Sequence, residues 1–374
     1  MKLIISTLLS LALLNPIWNS PDFLNNHLFA NLPISPSQIF ISKAQAAMDA
    51  KDLITVSVAA AALLGIGLIA FKHKDKKPVR PYIILDTDMV EDPMDAGTLA
   101  MLHTCEKQGL INILAVMTNS LSPYSPNTVM AINQYYQRAD IPIGSYKGDV
   151  GTTSNGKYNL AIFSKYNTGV NRSTTKEAFE LYRSLLEKAK DQSVTIVSIG
   201  FLTNLYELLK SPADEFSDLS GSELVTKKVK RLVIMGGKIP SGIEYNFSYQ
   251  GVGPQAIYSI TNWPSEIVFS PSNLGNTIFT DATKLSNDNP VKMAYINQGN
   301  LKNLAQDQIA LLYAVRGASE RFTVNSTGYM HINDDPSTIW KDVPDKNHSY
   351  LILKQSSEII AQEINQLMQY NPGN

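Results

Sequence analysis

From Tyr82 to the C-terminus, short β-branched runs alternate with stretches of helical spacing, and this alternation limits the chain to strand-helix units around a mostly parallel sheet. The pattern predicts strands at Tyr82–Leu85, Ile111–Met117, Val194–Ser198, Arg231–Met235 and Glu266–Phe269. Helices are predicted over Ala96–Lys107, Asn127–Gln137, Thr175–Lys190, Leu202–Leu209, Pro254–Asn262, Gln306–Arg316 and Ser357–Gln369. Helices on both faces of such a sheet make a three-layer α/β architecture. With no internal repeat and no long low-complexity segment, residues 82–374 read as one domain.

The first 81 residues have a different character. Charged residues make up 17% of the 374-residue chain, below the roughly 25% of soluble proteins. The deficit lies in residues 1–71, where the only charges are Lys2, Asp22, Lys43, Asp49, Lys51 and Asp52. The apolar run Leu3–Trp18 has the length of a secretory signal core, so residues 1–52 read as a targeting or extracytoplasmic segment. Leu53–Phe71 is uncharged and, as a helix, about 28 Å long, which predicts a transmembrane span. Lys72, Lys74, Lys76, Lys77 and Arg80 follow it in the basic linker 72–81, and the positive-inside rule then puts the body in the cytoplasm. A periplasmic or exported body is the alternative if the first run is a signal peptide and the second does not span.

Lys+Arg at 32 against Asp+Glu at 33 leaves a net charge of −1, so no electrostatic footprint for nucleic acid exists. The single Cys105 excludes an internal disulfide and any site built from several thiolates. The assembly state stays open, a homo-oligomer included.

In parallel sheets ligands bind beyond the carboxyl ends of the strands. The polar and small residues there are Asp86-Thr87-Asp88, Thr118-Asn119, Ile199-Gly200, Gly236-Gly237 and Ser270. The first group opens an acidic run: Asp86, Asp88, Glu91, Asp92 and Asp95 place five carboxylates within ten residues after an apolar strand. Uncompensated, they repel one another. A bound cation resolves this, and an all-oxygen donor set suits Ca²⁺ or Mg²⁺ rather than zinc. The plain alternative is a solvated acidic loop in which Asp92 caps a helix beginning at Pro93.

The segment Ile84-Leu85-Asp86-Thr87-Asp88 followed by Asp95-Ala96-Gly97 resembles the N-terminal signature of the inosine-uridine nucleoside hydrolases. Further on, Ile199-Gly200-Phe201-Leu202-Thr203-Asn204 is similar to that family's Gly-Pro-Leu-Thr-Asn segment, and Leu232 to Gly237 to its strand ending in Met-Gly-Gly. Glu244-Tyr245-Asn246 resembles the Glu-Phe-Asn ribose element, and Gln306-Asp307 the late Asp element that closes the metal site. The resemblance implies one Ca²⁺ held by the side chains of Asp88, Asp95 and Asp307 and the backbone carbonyl of Ile199. It implies further that Asp88 takes a proton from the attacking water and that the substrate is a small riboside. Glu244, Asn246 and Asn119 would hydrogen-bond the sugar.

The chain departs from the family pattern in three places. Met94 stands where a paired aspartate precedes Asp95, so a ribose-contacting carboxylate is missing; Asp92 is the nearest residue able to substitute. Phe201 replaces the proline after Gly200, and no acidic residue occurs in Ser248 to Pro254. A Ca²⁺- or ribosyl-binding pseudoenzyme is therefore an alternative. A second is a haloacid-dehalogenase-like phosphatase with Asp86 as nucleophile, Asp88 as acid/base and Asp334-Asp335 as Mg²⁺ ligands. An acyl hydrolase lacks its Gly-x-Ser-x-Gly elbow here. The leaving-group acid is unassigned: His103, His331 and His348 are candidates by residue type only.

Overall fold

The computed structural model describes residues 80–372, Glu91 excepted. The expected targeting segment 1–52, the span 53–71 and most of the linker 72–81 lie outside the described residues. Among the described residues no helix is long and apolar enough to cross a membrane.

In chain order the strands are β1 (Tyr82–Thr87), β2 (Asn112–Thr118), β3 (Ile143–Ser145), β4 (Lys176–Glu177), β5 (Val194–Ser198), β6 (Val229–Met235) and β7 (Ser241–Ile243). There follow β8 (Glu266–Ser270), β9 (Phe279–Asp281), β10 (Lys302–Leu304), β11 (Phe322–Asn325), β12 (Tyr329–Ile332), β13 (Ser337–Lys341) and β14 (His348–Leu353). The first six helices are α1 (Met94–Lys107), α2 (Ser125–Tyr135), α3 (Lys157–Lys165), α4 (Ala178–Lys188), α5 (Thr203–Lys210) and α6 (Gly221–Lys228). The rest are α7 (Tyr245–Ser248), α8 (Gly253–Asn262), α9 (Pro290–Gln298), α10 (Gln306–Arg316) and α11 (Ser357–Met368).

Nine strands form the main sheet in the order β11-β14-β8-β6-β5-β1-β2-β3-β4. Every neighbouring pair is parallel except β11 with β14. The helices cover both faces, which separates two apolar cores. On β1, Ile83 and Leu85 enter the core shared with α1, α2, α10 and α11, whereas Ile84 enters the one shared with α4, α5, α6 and α8. This period-two division is the pleat of a strand buried on both sides, and it explains the unbroken apolar run. The expected three-layer, mostly parallel α/β fold is therefore present.

From β1 the chain first builds outward through β2, β3 and β4, then returns to add β5, β6, β8 and β14 on the other side. The reversal falls between β1 and β5, and that switch point opens a crevice at the strand ends. β1 also runs two residues beyond its predicted end, because Asp86 and Thr87 keep the ladder register with β2.

Candidate active site

The acidic run turns away from β1 through Met89, whose φ of 45° is the left-handed conformation rare for a side chain of this size. The turn is held by its carbonyl, which accepts from Asn159 Nδ2 at 2.7 Å and Ser125 Oγ at 3.1 Å. Asp92 Oδ1 then accepts the Met94 N–H at 2.8 Å and so satisfies one of the open donors at the start of α1. Asp95 lies in the first turn of α1 and Asp307 in the first turn of α10, where the helix dipoles favour negative charge.

The two helix starts meet because α1 carries Gly97 at their contact. A Cβ there would come within 2.7 Å of Gln308 Nε2 and 2.8 Å of the Tyr295 hydroxyl. Gln308 Nε2 instead donates to the Met94 carbonyl at 2.9 Å, tying α10 to the first turn of α1.

Carboxylate oxygens of Asp92, Asp95 and Asp307 consequently lie within 4.8 Å of one another. Burial first, then the charge of Asp88, pushes the Asp95 pKa well above the usual carboxylate range; the Thr87 hydroxyl, which donates to it, pulls the other way. Burial also raises Asp307, followed in effect by Asp95, Asp92, Asp88 and Glu244. Five acidic groups therefore share one field. Neither Asp95 nor Asp307 has an ion-pair partner among the described residues.

Asp307 Oδ1 is buried and has no hydrogen-bond partner among the described residues. A buried carboxylate oxygen left this way costs on the order of 1–3 kcal/mol or more. Clustered oxygens with one atom orphaned fit a hard cation that takes oxygen donors, of the Ca²⁺ or Mg²⁺ kind.

Beside the cluster, Asp86 is fully buried and held on both oxygens. Tyr182 donates to Oδ2 at 2.8 Å, and Asn119 and Asn204 donate to Oδ1 at 2.7 and 3.0 Å. Burial raises its pKa to about 7 against the opposing pull of these three donors. The group is thus a closed brace between β1, the end of β2, α4 and α5.

This brace corrects two expectations. Asn119, expected on the sugar, is fully buried; its Nδ2 binds Asp86 and its Oδ1 accepts the Phe201 N–H at 3.1 Å. The phosphatase alternative loses its nucleophile, since Asp86 is inaccessible. Its proposed metal ligands also lie elsewhere: Asp334 and Asp335 are exposed between β12 and β13, where Asp335 closes a turn on Ser337.

The residues expected to contact the sugar lie beyond the end of β5 and at α7. Ile199 receives the register of β1 through its N–H to the Asp86 carbonyl at 2.8 Å, and its own carbonyl accepts from Asn246 Nδ2 at 3.4 Å. Gly200 follows because nothing larger fits: a Cβ would meet the Asp88 backbone nitrogen at 2.4 Å and Asn119 Oδ1 at 2.8 Å. Glu244 is buried at the start of α7, and burial raises its pKa against the pull of the Ser272 hydroxyl and the Asn246 N–H.

The structure thus brings Asp92, Asp95 and Asp307 together, sets Asp88 and Glu244 within their field, and joins Asn246 to the Ile199 carbonyl. Met94 is buried at the start of α1. His103 and His348 are both lowered to about 4 by burial, so each is a neutral ring near pH 7. The sequence did not single out Thr87, Tyr182 or Asn204 for roles. Thr87 and Asn204 lie inside motifs already noted, whereas Tyr182 comes from α4 with no local signal.

A buried acidic cluster at the switch point of a parallel sheet, with Glu244 in its field, is an arrangement suited to holding a hard cation. Residues 83–340 match the family model described as inosine-uridine preferring nucleoside hydrolase, and the chain belongs to that family. No curated protein matches the chain at the sequence level. Among solved structures it is similar to a plant nucleoside hydrolase, PpNRh1, with a TM-score of 0.55, 14% identity, and coverage of 77% of this chain and 99% of that one. An inosine-uridine preferring nucleoside hydrolase from Bacillus anthracis matches with a TM-score of 0.57 at 13% identity, again covering 77% and 99%. The type III effector protein XopQ, solved with adenosine diphosphate ribose, matches with a TM-score of 0.56 at 14% identity, covering 83% and 96%.

Proposed function

We propose that this protein hydrolyses the N-glycosidic bond of a ribonucleoside or related riboside in a Ca²⁺-dependent reaction, releasing ribose and free base. The orphaned, buried Asp307 oxygen within the carboxylate cluster is the observation that carries the reading. Asp88, Asp95, Asp307 and the Ile199 carbonyl would hold the ion, with Asp92 as a further oxygen donor at the same cluster. At those residues Ca²⁺ would supply oxygen coordination for sugar hydroxyls and Lewis acidity towards a water.

The remaining work falls to the chain. Asp88 takes the proton of the attacking water, a role suited to a buried carboxylate held among like charges. Glu244 and Asn246 bind sugar hydroxyls and fix the anomeric carbon against that water. Cleavage of the glycosidic bond develops positive charge on the sugar, which the surrounding carboxylates stabilise. The braced Asp86 keeps β1, β2 and β5 in register so that Asp88 and Ile199 face the same space.

A second reading keeps the fold and drops turnover, and Met94 favours it. Without the paired aspartate the site loses a charge-assisted partner for ribose, so the protein would bind Ca²⁺ and a ribosyl group without cleaving it. The XopQ structure with adenosine diphosphate ribose suggests the class of larger ribosylated ligand such a site would take. Free-ribose release from a nucleoside panel, with and without Ca²⁺ and with Asp307→Ala as control, separates the two. Metal-dependent release absent in the variant supports the hydrolase; Ca²⁺ stabilisation without release supports the binding protein.

We also propose that residues 53–71 anchor the protein in a membrane with the body in the cytoplasm. Recovery of the full chain in the soluble fraction after cell breakage would contradict the anchor.

A further inference from the structure

The edge of the sheet where its strands begin presents a row of cations. The four central strands stand side by side in the order β6-β5-β1-β2, and their first residues are in register. Tyr82 lies opposite Asn112 on one side and Val194 on the other, and Val194 lies opposite Val229. The segments entering these strands carry Arg80 before β1, Lys107 before β2, Lys188 and Lys190 before β5, and Lys227 and Lys230 where α6 joins β6. All six are exposed, and none has an ion-pair partner among the described residues. With strands about 4.8 Å apart, the row spans roughly 15 Å.

Backbone hydrogen bonds hold these segments together. The Tyr82 N–H donates to the Ser193 carbonyl at 3.3 Å and the Asn112 N–H to the Pro81 carbonyl at 2.9 Å. The N–H groups of Gln192 and Ser193 donate to the carbonyls of Lys227 and Lys228 at 3.1 and 3.2 Å. Neighbouring acids are already engaged: Glu106 and Asp140 with Arg138, Asp191 with Lys228 at 3.0 Å, and Glu266 with Arg231 at 3.0 Å. Glu187 accepts from the Ser217 hydroxyl at 2.6 Å. The helix dipole accounts for Lys107, Lys188 and Lys227, each in the last turn of its helix. It does not account for Arg80, Lys190 and Lys230, which lie outside the helices.

The acidic cluster of Asp92, Asp95 and Asp307 lies beyond the opposite ends of the same strands. The net charge of −1 therefore conceals a separation, with acids at the ligand end and unpaired bases at the other. The sequence that runs into the basic edge at Arg80 adds Lys72, Lys74, Lys76 and Lys77. We infer that the strand-start edge docks on an anionic phospholipid surface. Bases flanking a proposed span fit the negative cytoplasmic leaflet, where each Lys or Arg near the surface strengthens binding about fivefold. Docking by this edge turns the acidic pocket away from the repelling headgroups and leaves it open to soluble ligands. The inference uses the described residues of the sheet edge and is independent of the riboside reading.

Lysine acetylation followed by mass spectrometry tests it on the full chain, reconstituted in metal-free buffer with phosphatidylcholine vesicles or with vesicles carrying about 30% phosphatidylserine. Both offer the same hydrocarbon core, so an anchor at residues 53–71 cannot produce a difference between them. At low salt Lys188, Lys190, Lys227 and Lys230 should react at least about fivefold more slowly on the anionic vesicles. Lys157 and Lys238, which lie towards the other end of the strands, should react equally on both. Salt at 0.5 M, with a Debye length of roughly 4 Å, should erase the difference. The exposed double variant Lys190→Glu/Lys230→Glu, melting as wild type does, should lose the protection at Lys188 and Lys227. Equal labelling on the two vesicle types overturns the inference, as does protection that extends to Lys157 and Lys238. RNA added without vesicles should protect less than the anionic vesicles do; equal or stronger protection would make a polynucleotide the occupant and overturn the lipid surface.

Discussion

Among the described residues, two charge clusters around buried groups are distinguished by their partners. Arg183 on α4 is fully buried, and its guanidinium is hydrogen-bonded through Nε, Nη1 and Nη2. Asp214 takes Nε and Nη2 at 2.5 and 2.8 Å, Ser211 takes Nη1 at 3.0 Å, and the carbonyls of Ser217 and Leu219 accept from Nη2 at 3.1 and 2.8 Å. The cluster of Asp88, Asp92, Asp95 and Asp307 presents like charges to one another and leaves Asp307 Oδ1 without a partner among the described residues. The first cluster is closed by the chain itself and ties α4 to the loop before α6. The second is left open by the described residues, which is why a cation is proposed for it. The direction of the carboxylate pKa states the same difference: the Arg183 hydrogen bond lowers Asp214, whereas burial and neighbouring acids raise Asp95 and Asp307.

The largest effect expected is on the closed side. Asp214→Ala leaves the buried Arg183 charge without its ion-pair partner; with Asp214 26% exposed, the loss should lie at or below the lower end of the about 3–5 kcal/mol of a fully buried pair. Urea unfolding should show that loss equally with and without Ca²⁺; a loss that Ca²⁺ repairs would break the contrast between the clusters.

Next is the open side. Ca²⁺ at 100 times its Kd should stabilise wild type by about 2.7 kcal/mol. Asp307→Asn should abolish that gain, and without metal it should be at least as stable as wild type at pH 7, because one repelling charge is gone. A variant less stable than wild type in chelator would show Asp307 to be a structural cap only.

Gly200→Ala should follow at about 1–3 kcal/mol, since its methyl group meets the Asp88 backbone in a packed site. Thermal melting that shows no loss would mean that the end of β5 can move away from Asp88.

The pH dependence sharpens the contrast by its sign. Asp95, Asp307, Glu244 and Asp86 have raised pKa values, so the folded protein binds more protons than the unfolded chain. In chelator their contribution should therefore fall as pH rises from about 4 through the folded values, which for Asp86 is about 7. Asp214 is lowered, so its contribution is present above the unfolded value of about 4 and is lost as pH falls through the folded one. Melting curves from pH 3 to 8 should show Ca²⁺ reducing the part of the decline that Asp95 and Asp307 contribute, while leaving the Asp86 contribution and the acid limb in place. A stability that rises from pH 5 to 7 in chelator would contradict the proposed repulsion.

The smallest expected effect concerns Met94. Met94→Asp should raise riboside turnover about tenfold if a charge-assisted contact to ribose is what the chain lacks. Unchanged turnover would indicate that Asp92 already supplies it.

Much of this was legible in the sequence because buried parallel strands announce themselves. β5 and α10 fall where the pattern predicts them, and β6 and β8 differ only at their ends. β3 was not legible, being three residues long with Pro142 before it. β14 was missed as well, since its half-polar run His348–Leu353 lies against β8 only through tertiary pairing. α6 carried a readable signal in its Ser220/Glu223 capping box, which the spacing of apolar residues does not reveal.

At the site, the acidic run and the late Asp307 element could be read because motif order carries them. The fate of Asp86 could not, since one buried aspartate looks like another until Tyr182 arrives from α4. Asn119 was misplaced for the same reason: its amide type suits a sugar equally well, and only the fold decides that it faces Asp86 and Phe201.

Calorimetric titration of Ca²⁺ into metal-free full-length protein at pH 7 tests the central claim most directly, with Asp307→Asn and Asp214→Ala titrated alongside. One ion per chain bound by wild type and Asp214→Ala, and none by Asp307→Asn, is the predicted result. Binding that survives in Asp307→Asn, or no binding by wild type, would contradict the open acidic cluster as a cation site.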